Sequence, residues 1–504
     1  MTAAIPADTV ERFRAAIVDR LGLLFDDAKL PQLTEVLQRR ARATGRDAEA
    51  YVAGLETAPA RDEISALASD LTVPEAYFFR NIDQFRALAE VVIPERASTN
   101  AAVRRLRMLS LGCASGEEPY TLAMLARDVL PDPRWDVSIL GVDINPVAIE
   151  RARRGRFSAW TLRETPDRDR QRWFREQGRE YVLDESLRES VRFEQRNLVD
   201  DDPQLWAPEQ FDVIFCRNVI MYFSPEQARA LVARIAQAVC VDGYLFLGHA
   251  ETLRGISTEF HLLHTHGTFY YQKKGRGAGF VPPPRTEPFD KAAIATLTTD
   301  ADSWVDAIRR ASERVAALTD SSRTRSATRA GQKSPASSWD LGVALELLRK
   351  ERFAEALAIV DALPPESSRD ADVLLLRATL LTHGGRLGEA EATCRRLLEI
   401  DEFNAGAHYL LALCREGAGD LAGARHHDQV AAYLEPGFAM PRLHLGLLER
   451  RTGQRESAGR ELAQALVLLQ REDASRVLLF GGGFPRETLI TLCQSELSRC
   501  RGDR

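Results

Sequence analysis

Ala356, Ala390, Ala424 and Ala458 stand 34 residues apart, and twelve residues ahead of each lies another small residue: Ala344, Ala378, Ala412 and Gly446. Two small positions per period are what a pair of close-packed helices needs where the backbones approach. Stacked pairs bury one continuous core only if that period is kept. An ordinary helical bundle has no reason to hold this register over four units. The spacing predicts a helical solenoid over residues 339–473, followed by a capping helix within residues 474–504 around "RETLITLCQSELSRC".

The other residues must form something else, because 504 residues with 45% hydrophobic content favour two or three domains. Residues 1–90 carry helical periodicity, with Val10, Phe13, Ile17 and Leu21 on one face, and read as a small helical domain. From Arg104 short apolar runs alternate with capped helices: "LRMLSLG", "VSILGVD", "VRFEQRNL", "FDVIFCRN" and "GYLFLGHAE". That alternation implies an α/β domain over residues 91–274, with a mainly parallel sheet covered by helices. Asn145 before Pro146, and Ser224 before Pro225 with Gln227, are helix-start signals. Residues 275–338 are polar and small-residue rich and read as a flexible linker, with one helix expected around 302–318.

Charge and cysteine usage exclude several classes. A net charge of −6 over this length argues against a nucleic-acid or anionic-membrane partner. No apolar run is long enough to cross a bilayer and no signal-like start is present, so the expected location is the cytoplasm. Seven scattered cysteines without a C-x-x-C pair suggest neither a disulfide framework nor a zinc site. His261, His264 and His266 do not combine with carboxylates, so no metal is expected.

The stretch "LSLGCASGEEPYTLAM" carries the chemistry. Strand, glycine-rich turn and helix start place backbone N–H groups at the carboxyl end of a central strand, where open sheets bind ligands. The lysine and hydroxyl of a phosphate loop are missing, and Glu117 and Glu118 would repel a pyrophosphate. Asp143 ends the next strand, a position from which a carboxylate can take both hydroxyls of a ribose. Ribose recognition together with acids for an ammonium describes S-adenosylmethionine.

These segments, "LGCASGEEPYTLAM", "GVDINPVAIERARRGRFS", "VRFEQRNL", "FDVIFCRNVIMYF" and "GYLFLGHAETL", resemble the CheR-type chemotaxis receptor glutamate methyltransferases over about Val10 to Tyr271. The repeats resemble the tetratricopeptide family, although Arg415 and Glu449 replace an expected aromatic or leucine. The first resemblance implies a doubly wound, Rossmann-like S-adenosylmethionine-dependent domain with a small β insert over about 156–189, beside the N-terminal helical domain. It places Arg80 beside the cofactor and the incoming glutamate, and Tyr222 beside the transferred methyl. It puts Gly112, Ala114 and Gly116 in the cofactor turn, Asp143 on the ribose, and Glu117 or Glu118 near the methionine amino group. It sets Asn197 and Leu198 on the adenine side and Arg217 with Asn218 at the end of the fourth strand. Relatives commonly carry asparagine and threonine or serine where this chain has Pro74 and Ala76, so two polar cofactor contacts are expected to be lost.

The implied reaction esterifies glutamate side chains of chemoreceptor cytoplasmic helices and leaves S-adenosylhomocysteine. A carboxylate is already a nucleophile at neutral pH, so the protein's work is alignment and exclusion of water. Arg39, Arg40 and Arg42 offer a basic patch for an acidic receptor or, equally, a solvated helix end. The alternative for Arg217 is a pair with an acid of the sheet. His249, Cys113 and Cys216 read as structural, and the repeats as a surface for a signalling protein. A rival reading keeps the fold as a scaffold with weakened catalysis; another substrate carboxylate is a third.

Overall fold

A computed structural model of the chain describes residues 5–57, 60–72, 76–275 and 341–501. Pro74, the linker residues 276–338 and the helix expected around 302–318 lie outside the described residues. The chain divides into two compact units, Met1–Phe289 and Asp290–Arg504.

In the first unit, helices Ala7–Leu21, Leu30–Ala43, Ala48–Thr57 and Arg61–Leu71 close around Phe13, Ile17, Leu33, Leu37, Val52 and Leu67. The expected basic patch is largely neutralised. Arg40 donates twice to Glu63, at 2.8 and 2.6 Å, and Glu63 also accepts from the Tyr51 hydroxyl. Arg39 pairs with Asp70 at 3.2 Å.

The sheet follows in strands β1 (Arg105–Leu111), β2 (Asp136–Asp143), β3 (Arg156–Ser158), β4 (Phe174–Gln177), β5 (Glu180–Leu183), β6 (Val191–Gln195), β7 (Phe211–Cys216), β8 (Val239–Leu247), β9 (Phe260–Thr265) and β10 (Thr268–Lys273). Seven of them form one sheet in the order β6-β2-β1-β7-β8-β10-β9, parallel up to β8 and antiparallel beyond. The chain moves outward from β1 through β2 and returns on its other side as β7, so the topological switch lies between β1 and β7. Leu111 pairs with Cys216 there, which brings Gly112 and Arg217 side by side past the strand ends. Phe85, Phe215, Phe246 and Tyr270 stack across the sheet with centroids 5.7, 4.5 and 5.1 Å apart. Strands β3, β5 and β4 make the separate small insert, whose Phe157 and Phe174 pack edge-on against Phe78.

The second unit contains four helix pairs: Leu341–Arg349 with Phe353–Asp361, Ala371–His383 with Leu387–Ile400, Ala405–Gly417 with Leu421–Leu434, and Ala439–Arg451 with Arg455–Leu469. All seven period alanines are fully buried, as close helix approach requires. Where the first helix of each pair ends, the chain turns through a left-handed residue: Glu351, Gly385, Gly419 and Gly453. Arg415 is accommodated by ion pairs to Glu391 and Asp420 at 2.9 and 3.5 Å. Residues 474–501 form two helices rather than one, Ala474–Phe480 and Arg486–Arg501, and the second packs on Arg455–Leu469 as the cap.

A Cβ at Gly446 would stand 2.6 Å from Leu462 Cγ, whereas one at Gly459 would meet only Cys500 at 3.9 Å. Gly446→Val is expected to destabilise the array by about 1–3 kcal/mol through overpacking. Gly459→Ala, within a helix, should stabilise it by up to about 1 kcal/mol. Urea unfolding followed by circular dichroism checks both signs.

Candidate active site

The site is built at the switch between β1 and β7. Gly112 has φ 68°, and a Cβ there would lie 2.5 Å from Val219 Cγ2, so the glycine lets the loop after β7 approach the turn. Gly116, at φ 93°, opens the helix Glu117–Val129 where a Cβ would meet Ala152 at 2.9 Å and Phe193 at 3.0 Å. Between them Ala114 adopts φ 47°, an uncommon conformation for a residue with a side chain. Its N–H donates to Asp143 Oδ2 at 2.9 Å, while the N–H of Asn145 donates to Oδ1 at 2.8 Å. Asp143 therefore ties the glycine turn to the end of β2. Asn145 caps the next helix with its side-chain oxygen.

The two glutamates diverge. Glu118 accepts from Arg217 Nε at 2.6 Å and from the Ser110 hydroxyl at 2.7 Å. Glu117 is 1% exposed and accepts from the Ser115 hydroxyl at 2.9 Å, and among the described residues no cation pairs with it. Burial lifts its carboxyl to about 7. Asp143 is also raised by burial, against the pull of its backbone donors.

Arg217, expected at the cofactor end of the fourth strand or paired with an acid, does pair with an acid, Glu118. Its side chain is 4% exposed, and besides Glu118 it donates to the Arg80 carbonyl at 2.6 Å and to Gln84 Oε1 at 2.8 Å. The guanidinium also lies over Phe85, 5.1 Å from the ring centroid. A buried cation needs such partners, and these make Arg217 a clamp behind the site. It holds the turn that carries Arg80. That turn is strained on both sides of Arg80, with Phe79 at φ 57° and Asn81 at φ 64°. Phe79 is buried, and the Phe78 N–H donates to the Thr161 carbonyl of the insert at 2.9 Å. Arg80 itself is half-buried, 5.8 Å over the Tyr77 ring.

Tyr222 closes the short 3-10 turn Ile220–Tyr222 and is 46% exposed. The turn is shaped by Glu251, which sequence reasoning missed. Its buried carboxylate accepts backbone N–H groups of Asn218 and Gly248 at 2.7 Å, Val219 at 2.8 Å and Met221 at 3.2 Å. Asn218 takes φ 57° within this arrangement. The available signal was an acid immediately past a central strand, in "GHAE". The helical region joins here too: the Leu24 N–H donates to the Tyr222 carbonyl at 2.7 Å.

Asn197 uses its side-chain amide on the Arg20 carbonyl at 2.8 Å and accepts from the Val199 N–H, while Leu198 is buried below the surface. Ala76 is half-buried just ahead of the Arg80 turn. His249 is held below its usual pKa by burial and by Arg217. Cys113 and Cys216, at the ends of β1 and β7, are buried with thiols raised well above the usual range by burial and by the acids nearby. Among the described residues no cluster of histidine, cysteine and carboxylate side chains suits a metal ion, and no helix is long and apolar enough to cross a membrane.

Residues 74–269 match the family model described as CheR methyltransferase, SAM binding domain. The chain is 31% identical over 270 residues to chemotaxis protein methyltransferase 2 of Vibrio cholerae, covering 53% of this chain and 93% of that protein. The chain belongs to the CheR methyltransferase family. It is also 29% identical over 453 residues to the probable biofilm formation methyltransferase WspC of Pseudomonas aeruginosa, covering 89% of this chain and 96% of that relative. The chain is accordingly a methyltransferase whose donor is S-adenosylmethionine. Its residues fit that donor chemically: two buried acids with no cationic partner among the described residues, Glu117 and Asp143, flank a turn whose glycines leave no room for side chains.

Glu251→Ala would leave four backbone N–H groups without their acceptor. Each buried orphan costs about 1–3 kcal/mol, so a loss of several kcal/mol is expected in chemical unfolding. Saturable S-adenosylhomocysteine binding should fall with it in calorimetry.

Proposed function

We propose that this CheR-family enzyme transfers methyl groups to glutamate side chains on the cytoplasmic helices of methyl-accepting chemoreceptors, forming γ-glutamyl methyl esters in the cytoplasm. Two observations support the reading in a chain of this family: Asp143 accepts from the Ala114 N–H of the β1 turn, and Arg217 at the end of β7 holds both Glu118 and the Arg80 carbonyl. S-adenosylmethionine, when bound, supplies an electrophilic methyl group on a sulfonium. Glu117 receives the ammonium of its methionine part, Asp143 the ribose hydroxyls, and Gly112, Ala114 and Gly116 bring backbone against it. Asn197 and Leu198 border the adenine side, and Asn218 lines the turn that presents Tyr222.

No general base is required, because a glutamate side chain with an ordinary pKa of about 4.3 is ionised at neutral pH. Arg80 would orient the incoming carboxylate, turning one of its oxygens toward the methyl group that the bound donor would supply. Tyr222 fixes the angle of approach. Arg217 takes no part in bond making; by holding Glu118 and the Arg80 carbonyl it keeps the two halves of the site in register. Each event removes one negative charge from the substrate helix. The helical array serves a partner protein rather than the chemistry.

The deciding experiment incubates the full chain with methyl-labelled S-adenosylmethionine and a receptor cytoplasmic fragment. Label released as methanol by mild base identifies a carboxyl ester. Base-stable label, or none despite cofactor binding, overturns the assignment. Asp143→Ala should weaken S-adenosylhomocysteine about tenfold to a hundredfold, the worth of hydrogen bonds to a charged group. Tyr222→Phe should lower turnover more than binding.

Affinity should also depend on pH. Below about pH 7 the free protein holds Glu117 mostly protonated. Binding an ammonium favours the carboxylate and releases a proton, so affinity rises from pH 6 to pH 8 and levels above. Stability runs the opposite way: the contribution of this raised group is full below 4.5 and is lost as pH climbs through 7. Glu117→Gln should flatten both profiles in calorimetric titrations and thermal melts.

A further inference from the structure

The inner face of the helical array is already occupied. The seven-residue helix Ala474–Phe480 packs against Leu341–Arg349 and Ala371–His383, the first helices of the first two pairs. It reaches the third through Tyr409, whose hydroxyl donates to the Phe480 carbonyl at 3.5 Å and whose ring centroid is 5.9 Å from that of Phe480. It reaches the fourth through Phe438, 5.1 Å from the Phe480 ring. A segment that touches the first helix, or its leading cap, in every pair must run along the face those helices share. That is the concave face by which such arrays take up peptides.

The contacts are of a recognition kind. Arg476 pairs with Glu435 at 2.9 Å and lies 6.0 Å over the Phe438 ring, and His383 Nε2 donates to the Leu479 carbonyl at 2.8 Å. Phe480 is 1% exposed, one turn beyond Arg476. Yet the segment is not the cap, since Arg486–Arg501 packs on Arg455–Leu469 by itself. Gly481, Gly482 and Gly483 separate the two, the last two at φ 64° and 83°. A helix of two turns has little stability of its own, so the groove holds it in place. It also fills the groove incompletely: a cavity of about 570 Å³ remains beside it, bordered by Leu348, Phe353, His383, Val477 and Phe484. Phe484 is 57% exposed there.

We propose that this concave face is a recognition groove for a partner helix carrying a basic residue one turn ahead of a phenylalanine, and that Asp473–Pro485 is an intramolecular stand-in which such a partner displaces. Glu435 reads the basic residue, the Tyr409–Phe438 pair reads the aromatic one, and the residual cavity admits a longer partner than the resident segment.

The test uses the full chain and an isotopically labelled peptide DASRVLLFGGGFPR, corresponding to Asp473–Arg486, with hydrogen exchange read by mass spectrometry. Excess peptide should speed exchange of the resident Ala474–Phe480 at least tenfold while leaving Arg486–Arg501 and the four pairs protected. A peptide carrying Arg476→Glu should fail on the native chain and recover on the Glu435→Arg chain. If that variant does not fold, the native chain decides alone. Resident exchange that stays as slow as that of Arg486–Arg501, with and without peptide, would show a fixed structural element and overturn the proposal.

Discussion

The site depends on one buried guanidinium. Arg217 leaves the end of β7 and meets, with separate N–H groups, the first turn of the helix after β1, the carbonyl of Arg80 and the side chain of Gln84. Arg80 and Gln84 lie in one stretch of chain and Glu118 in another, far from Arg217 in sequence. Removing one partner of a buried pair typically costs about 3–5 kcal/mol, far more than the pair contributes over an apolar replacement. The interaction is therefore better understood as fixing one arrangement than as adding stability. With Glu118 neutralised by it, Glu117 remains as the acid available to a cation, and the strained backbone at Phe79 and Asn81 is held in place.

Glu251 has the same function on the other side, with a carboxylate in place of a guanidinium. Four N–H groups converge on it, and the loop carrying Asn218 and Tyr222 has no alternative acceptor of that kind in its own sequence. The helical region then leans on this loop: Gly22 lies so near Phe223 that a Cβ would be 2.5 Å from the ring, and Leu24 bonds to Tyr222. The floor, the rim and the cover of the site are thus coupled through backbone groups.

What could be read in the sequence follows from how local its causes are. The strands, the helix caps at Asn145 and Ser224 and the 34-residue register rest on near neighbours or on obligatory small side chains, and they appear where expected. The left-handed series Glu351, Gly385, Gly419 and Gly453 was equally open to view, since three of its four members are glycines at the same period. The partners of Arg217, which lie 99 to 137 residues away in sequence, were not. Nor was the link from Asn197 to Arg20 across 177 residues. The helix Ala474–Phe480 escaped notice because seven residues carry too little periodicity to separate it from the cap that follows.

A methyl sulfonium is an alkylating agent, and an enzyme that holds one must not be its own substrate. The softest nucleophiles near the β1–β7 switch are the thiols of Cys113 and Cys216. Burial above all, and then the acids nearby, hold the protons on both. Since the thiolate and not the thiol reacts, the apolar packing at the two strand ends also protects the protein from self-methylation.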